Sequence, residues 1–144
     1  MTEYSSGHLQ CQREVVELHQ FFQDWFNGEI VKNEINFNRF AGVLVDGFVL
    51  ISPDGRILAR KPLVAGVRDG YGNWATKGYG RNWIKNFLVR VRENGITLAT
   101  YEEWQGVDGQ MTARLSSVLF RHHKEAPNGL FWCHVHETWL PPLK

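Results

Sequence analysis

The chain has 144 residues, 22% of them charged, and sixteen Lys and Arg against fifteen Asp and Glu give a formal net charge of +1. That size fits one domain, and the even spread of both signs excludes the basic footprint expected of a nucleic-acid or membrane-surface binder. The two cysteines, Cys11 and Cys133, lie far apart without CxxC spacing, which indicates neither a disulfide framework nor a zinc knuckle.

Residues 1–10 show no basic segment followed by an apolar one, and no apolar run approaches membrane-spanning length, so the expected location is cytoplasmic. Aromatic residues make up 13% of the chain and include six tryptophans, more than a core of this size needs. Some of them are expected to line a cavity or an interface.

In chain order, Val15, Leu18, Phe22 and Trp25 recur at intervals of three and four, which predicts a helix over 12–26 ended by Asn27-Gly28. A second helix is expected over about 33–44, where Phe37, Phe40 and Leu44 share a face before Asp46-Gly47. Phe48–Ser52, Asp54-Gly55 and Arg56–Arg60 read as a short hairpin, and Pro62 stands where a third helix would begin. The stretch 70–80, GYGNWATKGYG, reads as a loop whose Tyr71, Trp74 or Tyr79 either closes over a ligand or covers one end of the fold. It lacks the lysine, serine and spacing of a phosphate loop.

Four long strands follow, at about 86–93, 96–107, 110–122 and 130–140, separated by the hairpin turns Asn94-Gly95, Asp108-Gly109 and Asn128-Gly129. Two-residue turns fix register. They pair Val91 with Leu98, Thr100 with Ser117, Glu102 with Leu115 and Trp104 with Ala113. One face then carries Phe87, Val89, Val91, Leu98, Thr100, Glu102 and Trp104, and its apolar character predicts that it lies under the helices. Glu103 and Arg114 fall opposite each other on the other face, as an exposed ion pair. A tight turn at Asn128-Gly129 adds Trp132, His134, His136 and Thr138 to the inner face, and leaves Val118, Phe120, Phe131, Cys133, Val135 and Trp139 as an outer apolar patch suited to a partner.

This order of elements resembles the nuclear transport factor two-like, or cystatin-like, superfamily, in particular its uncharacterised branch related to polyketide cyclase-like (SnoaL-like) proteins and to the association domain of calcium/calmodulin-dependent kinase two. FVLISPDGRI at 48–57, RLSSVLFR at 114–121 and FWCHVHETW at 131–139 carry the likeness, which covers essentially the whole chain as one domain. The resemblance implies an α+β fold: a cone-shaped α+β barrel with N-terminal helices packed on the concave face of a curved, mainly antiparallel sheet. The kinase association domain has a similar His-x-His on its last strand and a pocket arginine near the level of Ser117; that arginine is missing here. Ketosteroid isomerase chemistry, also found in this superfamily, needs an inward Tyr beside a protonated carboxyl, and the expected register turns Tyr101 outward.

On this reading Trp25, Phe40, Thr100, Glu102, Trp104, Ser117, His134, His136 and Thr138 line a pocket between helices and sheet. Glu102 is the carboxylate whose burial would suit proton abstraction, or else a structural group bonded at the rim. His134 and His136 project from one strand face about 7 Å apart. They could shuttle a proton, but no third ligand converges on them as zinc would require, so neither metal nor cofactor is expected. The leading expectation is a small-molecule-binding domain, homodimeric through its convex sheet, for a small organic ligand. The alternatives are a lyase or isomerase using Glu102, His134 or His136 as general acid or base, and a structural oligomerisation module.

Overall fold

The computed structural model describes residues 6–141. Among them, helix α1 runs Ser6–Phe26, α2 Glu34–Ala41 and α3 Arg60–Asp69, and six strands run Leu44–Ile51 (β1), Ile57–Ala59 (β2), Arg81–Glu93 (β3), Ile96–Val107 (β4), Gln110–His122 (β5) and Leu130–Trp139 (β6). The strands form one open sheet in the order β2-β1-β6-β5-β4-β3, in which β1 runs parallel to β6 and the other neighbours are antiparallel. The α+β class and the helices-on-curved-sheet arrangement are as expected, but the sheet does not close into a barrel.

Helix α1 begins earlier than expected because its buried stripe continues through fully buried Cys11. It stops where Gly28 adopts a φ of 69°, open to a residue without a Cβ. Asn33 caps α2, its side chain accepting from the Asn36 N–H at 2.8 Å. Strand β1 takes over Leu44, expected in the helix, because the Trp132 N–H donates to the Val43 carbonyl at 2.7 Å and sheet pairing outweighs local helical spacing. Strand β3 likewise starts at Arg81, where Trp83 pairs and stacks with Trp104.

The 70–80 segment is pinned rather than poised. The Asn27 side chain exchanges two hydrogen bonds with Gly80 (2.8 and 2.9 Å), Trp74 packs on Phe26, and the Tyr71 hydroxyl donates to the Ile30 carbonyl at 2.6 Å.

The turns behave as their sequences require. Asn94-Gly95 and Asp108-Gly109 both have positive φ at the two central positions, the pairing that suits a hairpin of right-twisted strands. The β4–β5 register is the expected one throughout: Trp104↔Ala113, Glu102↔Leu115, Thr100↔Ser117, Leu98↔Leu119. What differs is the face. The row under the helices is Thr97, Ala99, Tyr101 and Glu103 on β4, Ser116, Val118 and Phe120 on β5, and Trp132, Val135 and Glu137 on β6, all buried.

Most of the expected inner set is therefore outer; Phe87 and Val89, expected with it, do pack against the core, and Val118, Phe120 and Val135, expected in an outer apolar patch, are buried beneath the helices. A bulge between Leu119 and Phe120 pairs Trp132 with Phe120 but His134 with Leu119, so Trp132 points in while His134, His136 and Thr138 join Ser117, Thr100, Glu102 and Trp104 on the convex side. Counting apolar residues could not choose between the faces, because both are apolar. The packed face carries small residues, Ala99 and Ser116, that let α1 approach, and its charged groups find partners there.

Candidate functional site

Between the helices and the inner sheet face lies a narrow chamber of about 80 Å³, walled by Leu18, Phe22, Phe40, Phe48, Leu63, Val67 and Tyr101. A wider vestibule of about 420 Å³ shares Phe22, Leu50, Leu63, Val67, Glu103 and Glu137 with it and is completed by Phe26, the Ser52–Arg56 turn, Asn82, Gln105, Arg114 and Trp139. The two compartments thus meet at a pair of carboxylates.

Those carboxylates sit in different surroundings. Glu103 is 5% exposed. Its Oε1 is 3.3 Å from His19 Nε2, and its Oε2 accepts from Asn82 Nδ2 at 2.9 Å and Gln105 Nε2 at 2.8 Å. His19 Nδ1 lies 2.8 Å from the Val15 carbonyl, which can only accept, so that nitrogen carries a proton and Nε2 is left facing the carboxylate. With Nε2 also protonated, the contact is an imidazolium–carboxylate pair.

Burial alone would raise the Glu103 pKa, yet the His19 charge and hydrogen bond, with Arg114 nearby, hold it down to about 2. For His19, burial opposes the charged form, but Glu103 outweighs it and the imidazole pKa is raised. Glu137 is the reverse case. Burial pushes its carboxyl up, its bond from Arg114 at 3.0 Å offsets this in part, and the Glu103 charge adds to the rise. The Tyr101 hydroxyl, fully buried beside both acids, is held neutral, well above its ordinary range.

Of the nine expected site residues, Phe40 lines the chamber. Trp25 is core, stacked on Phe21 and donating to the Val67 carbonyl at 2.8 Å. Glu102 is a partly exposed group on the convex face, where bonds from Asn86 and Trp104 lower its pKa, so it is not the buried, raised carboxyl expected. Thr100 accepts from Arg90 on the same face, and Trp104, Ser117, His134, His136 and Thr138 lie outside the cavity with it. Among the described residues no three His, Cys, Asp or Glu side chains gather as a metal site would need.

The residues that do converge are His19, Asn82, Glu103, Gln105, Arg114 and Glu137. A signal for them exists in the sequence. Glu14 and His19 interrupt the apolar stripe of α1, and Glu103 and Arg114 are cross-strand partners; a polar group on a helix's buried stripe needs a polar partner on the sheet it covers. Arg114, on the inner side of the strand that carries Ser117, brings an arginine to the cluster and bonds Glu137 at 3.0 Å.

Comparison with known proteins gives one family and one fold. The sucrose-6-phosphate phosphohydrolase C-terminal family matches residues 11–141. Sucrose-phosphatase 1 of Nicotiana tabacum is 24% identical over 128 residues, which covers 88% of this chain and 30% of that protein. Probable sucrose-phosphatase 3a of Arabidopsis thaliana is 24% identical over 135 residues, 92% of this chain and 31% of that one. The chain therefore spans about 30% of the length of the curated relatives it matches.

Among solved structures, an NTF-2-like protein of unknown function from Pseudomonas aeruginosa aligns with a TM-score of 0.80 at 22% identity, covering 92% of this chain and 99% of that one. A candidate calcium/calmodulin-dependent kinase II association domain from Exiguobacterium sibiricum aligns at 0.62 with 19% identity, over 99% of this chain and 100% of that one. Cystatin-like and polyketide cyclase-like structures share the same arrangement. The fold is thus the NTF2-like, cystatin-like one that the strand motifs resembled. No helix among the described residues is long and apolar enough to cross a membrane.

Proposed function

The chain belongs to the sucrose-6-phosphate phosphohydrolase C-terminal family, and from that premise we propose that it is a small-molecule-binding domain whose ligand enters the vestibule and meets the Glu103–Glu137 pair. The observation that carries this is a buried, charged cluster placed at the wall shared by two cavities. Burying charge is costly and a structural pair gains nothing from an open side, whereas a binding site needs convergent polar groups on an apolar surround. Hydrolysis by the sucrose-phosphatases is said of much longer proteins, and the role proposed for this domain is binding.

The test is ligand-observed NMR against a fragment set, repeated on Leu63→Trp, which fills the chamber and narrows the vestibule. Fragments that bind the parent protein should lose their signal in the variant while its circular dichroism is unchanged. If no fragment distinguishes the two proteins, the reading fails.

A second reading is favoured by the split between the two carboxylates. Acid–base enzymes place paired groups in environments that push their pKa values apart, and here burial raises the proton affinity of Glu137 while His19 holds Glu103 ionised, which makes Glu137 the better base of the two. Under it the domain is a lyase or isomerase in which Glu137 takes a proton from a carbon acid and returns it elsewhere on the substrate. Glu137→Gln would abolish turnover of such a substrate and leave its binding in place.

The convex sheet face is also proposed as a homodimer interface. It exposes Leu88, Val91, Leu115 and Met111 at 38–57% each, together with Ile57 at 71%, across neighbouring strands.

A further inference from the structure

We propose that the vestibule takes a neutral, hydroxyl-rich molecule of the sugar class in its unphosphorylated form, held by the Asn82 amide oxygen, the Glu137 carboxylate and Arg114. This rests on the cavity-binding reading above and narrows the ligand from any small molecule to one class.

The first observation is an acceptor in need of a donor. Asn82 is 7% exposed, and its Oδ1 has no hydrogen-bond partner among the described residues. Its orientation is fixed, because Nδ2 donates to Glu103 Oε2 at 2.9 Å and an amide flip would set oxygen against carboxylate. An unsatisfied buried acceptor costs free energy that a ligand O–H or N–H would recover. Glu137 adds acceptor capacity beside it: Arg114 is the donor that reaches it among the described residues, at Oε1.

The second observation is charge. Both cations that line the vestibule already have an acid: Arg114 with Glu137 at 3.0 Å and Arg56 with Asp54 at 3.2 Å. A phosphate group would find no spare cation there and would face three carboxylates, Asp54, Glu103 and Glu137. A hydroxyl donates to Asn82 and Glu137 and accepts from the remaining N–H groups of Arg114, so it satisfies both kinds of group without net charge. The aromatic faces of Phe22, Phe26 and Trp139 on the same walls suit the C–H faces of a sugar ring, and about 420 Å³ falls in the ordinary range for a small-molecule site.

The experiment is isothermal titration calorimetry with sucrose, sucrose-6-phosphate and, as an apolar control, 2-naphthol, on the parent protein, Asn82→Leu and Glu137→Gln, each variant checked by thermal melting. The expected result is that sucrose binds about tenfold or more tighter than its phosphate ester, and that each variant weakens sucrose by about tenfold, the cost of one unmet buried hydrogen bond. Tighter or equal binding of the phosphate ester overturns the proposal, as does binding unaffected by both variants. Binding of 2-naphthol without sucrose overturns the sugar class and leaves the cavity-binding reading standing. Silence from all three probes, together with fragments that do not respond to Leu63→Trp, overturns both.

Discussion

His19 on α1 and Glu103 on β4 stand 3.3 Å apart between Nε2 and Oε1, both almost wholly buried, so the contact that ties helix to sheet is also a titrating one. Glu103 falls from an ordinary 4.5 to about 2. Its contribution is present above 4.5 and is lost as the pH drops toward 2, an upper bound of ~3 kcal/mol. His19 is raised above 6.5, so its contribution is complete below 6.5 and is lost as the pH rises through the folded value. Glu137, raised above 4.5, favours the fold on the acid side and offsets part of the Glu103 loss. Melting temperature should therefore peak between 4.5 and 6.5. Glu103→Gln should lower that peak and reduce the alkaline decline to the part that Glu137 contributes; a variant whose pH profile parallels the parent's would show that the pair does not control stability.

A second buried acid has a different task. Glu14 is fully buried and accepts from both ends of the Arg39 guanidinium (2.8 and 3.1 Å), from Trp132 Nε1 (2.8 Å) and from Asn128 Nδ2 (3.0 Å). It joins α1 to α2, to β6 and to the β5–β6 loop at one point. Removing it strands the Trp132 N–H and leaves Arg39 and Asn128 only their contacts with Glu17 (3.6 and 2.9 Å), so Glu14→Ala should cost about 3 kcal/mol in urea unfolding. Arg39→Ala should cost less because Trp132 and Asn128 still satisfy the acid. Equal losses from the two substitutions would contradict this ranking.

On the convex face the expectation is indifference. Glu102→Gln, His134→Ala and His136→Ala should leave binding of any cavity ligand within error and change stability by about 0.5 kcal/mol or less, as surface substitutions do. Loss of ligand binding in Glu102→Gln, measured by calorimetry, would return the site to the outer face.

That face should respond instead to a charge placed at its centre. Leu115, 39% exposed, is flanked across the sheet by Glu102 and Thr138. If the convex sheet joins two copies, Leu115→Glu sets like charges against each other about the two-fold axis. Sedimentation velocity should then show the mass halved, with a melt that no longer depends on concentration. A parent protein that is monomeric at every concentration would remove the dimer.

Much of the sheet was legible and its orientation was not. Asp108-Gly109 sets the β4–β5 register residue by residue, because two adjacent positive-φ positions allow little else, whereas Asn94-Gly95 sets β3–β4 only as far as Val91↔Leu98, beyond which bulges bring Leu88, and not Val89, opposite Thr100. Choosing the buried face from that register needed the helix as well. Leu98, Leu115 and Leu119 look like core and Glu103 and Arg114 like surface until His19 is placed on the stripe of α1, where its proton demands an acid beneath it. At β6 the longer loop and the bulge shift the pairing in opposite senses. His134, His136 and Thr138 accordingly share a face with Ser117 as expected while Trp132 turns in, and no local sequence signal marks that bulge.

Asn128 offers a test of how that loop is held. Its φ is 53°, a left-handed conformation, and its side chain donates to Glu14 at 3.0 Å and Glu17 at 2.9 Å. Asn128→Gly keeps the backbone free to adopt that conformation and deletes only the side-chain bonds, whereas Asn128→Ala deletes the bonds and also imposes the left-handed penalty of about 1–2 kcal/mol. Both variants should be less stable than the parent, the alanine one by that further margin. Amide exchange of Leu130 and Phe131 should rise in step, since β6 enters the sheet directly from this turn. Identical melts for the two variants would mean that the side-chain bonds to Glu14 and Glu17, and not the turn's backbone preference, fix where β6 begins.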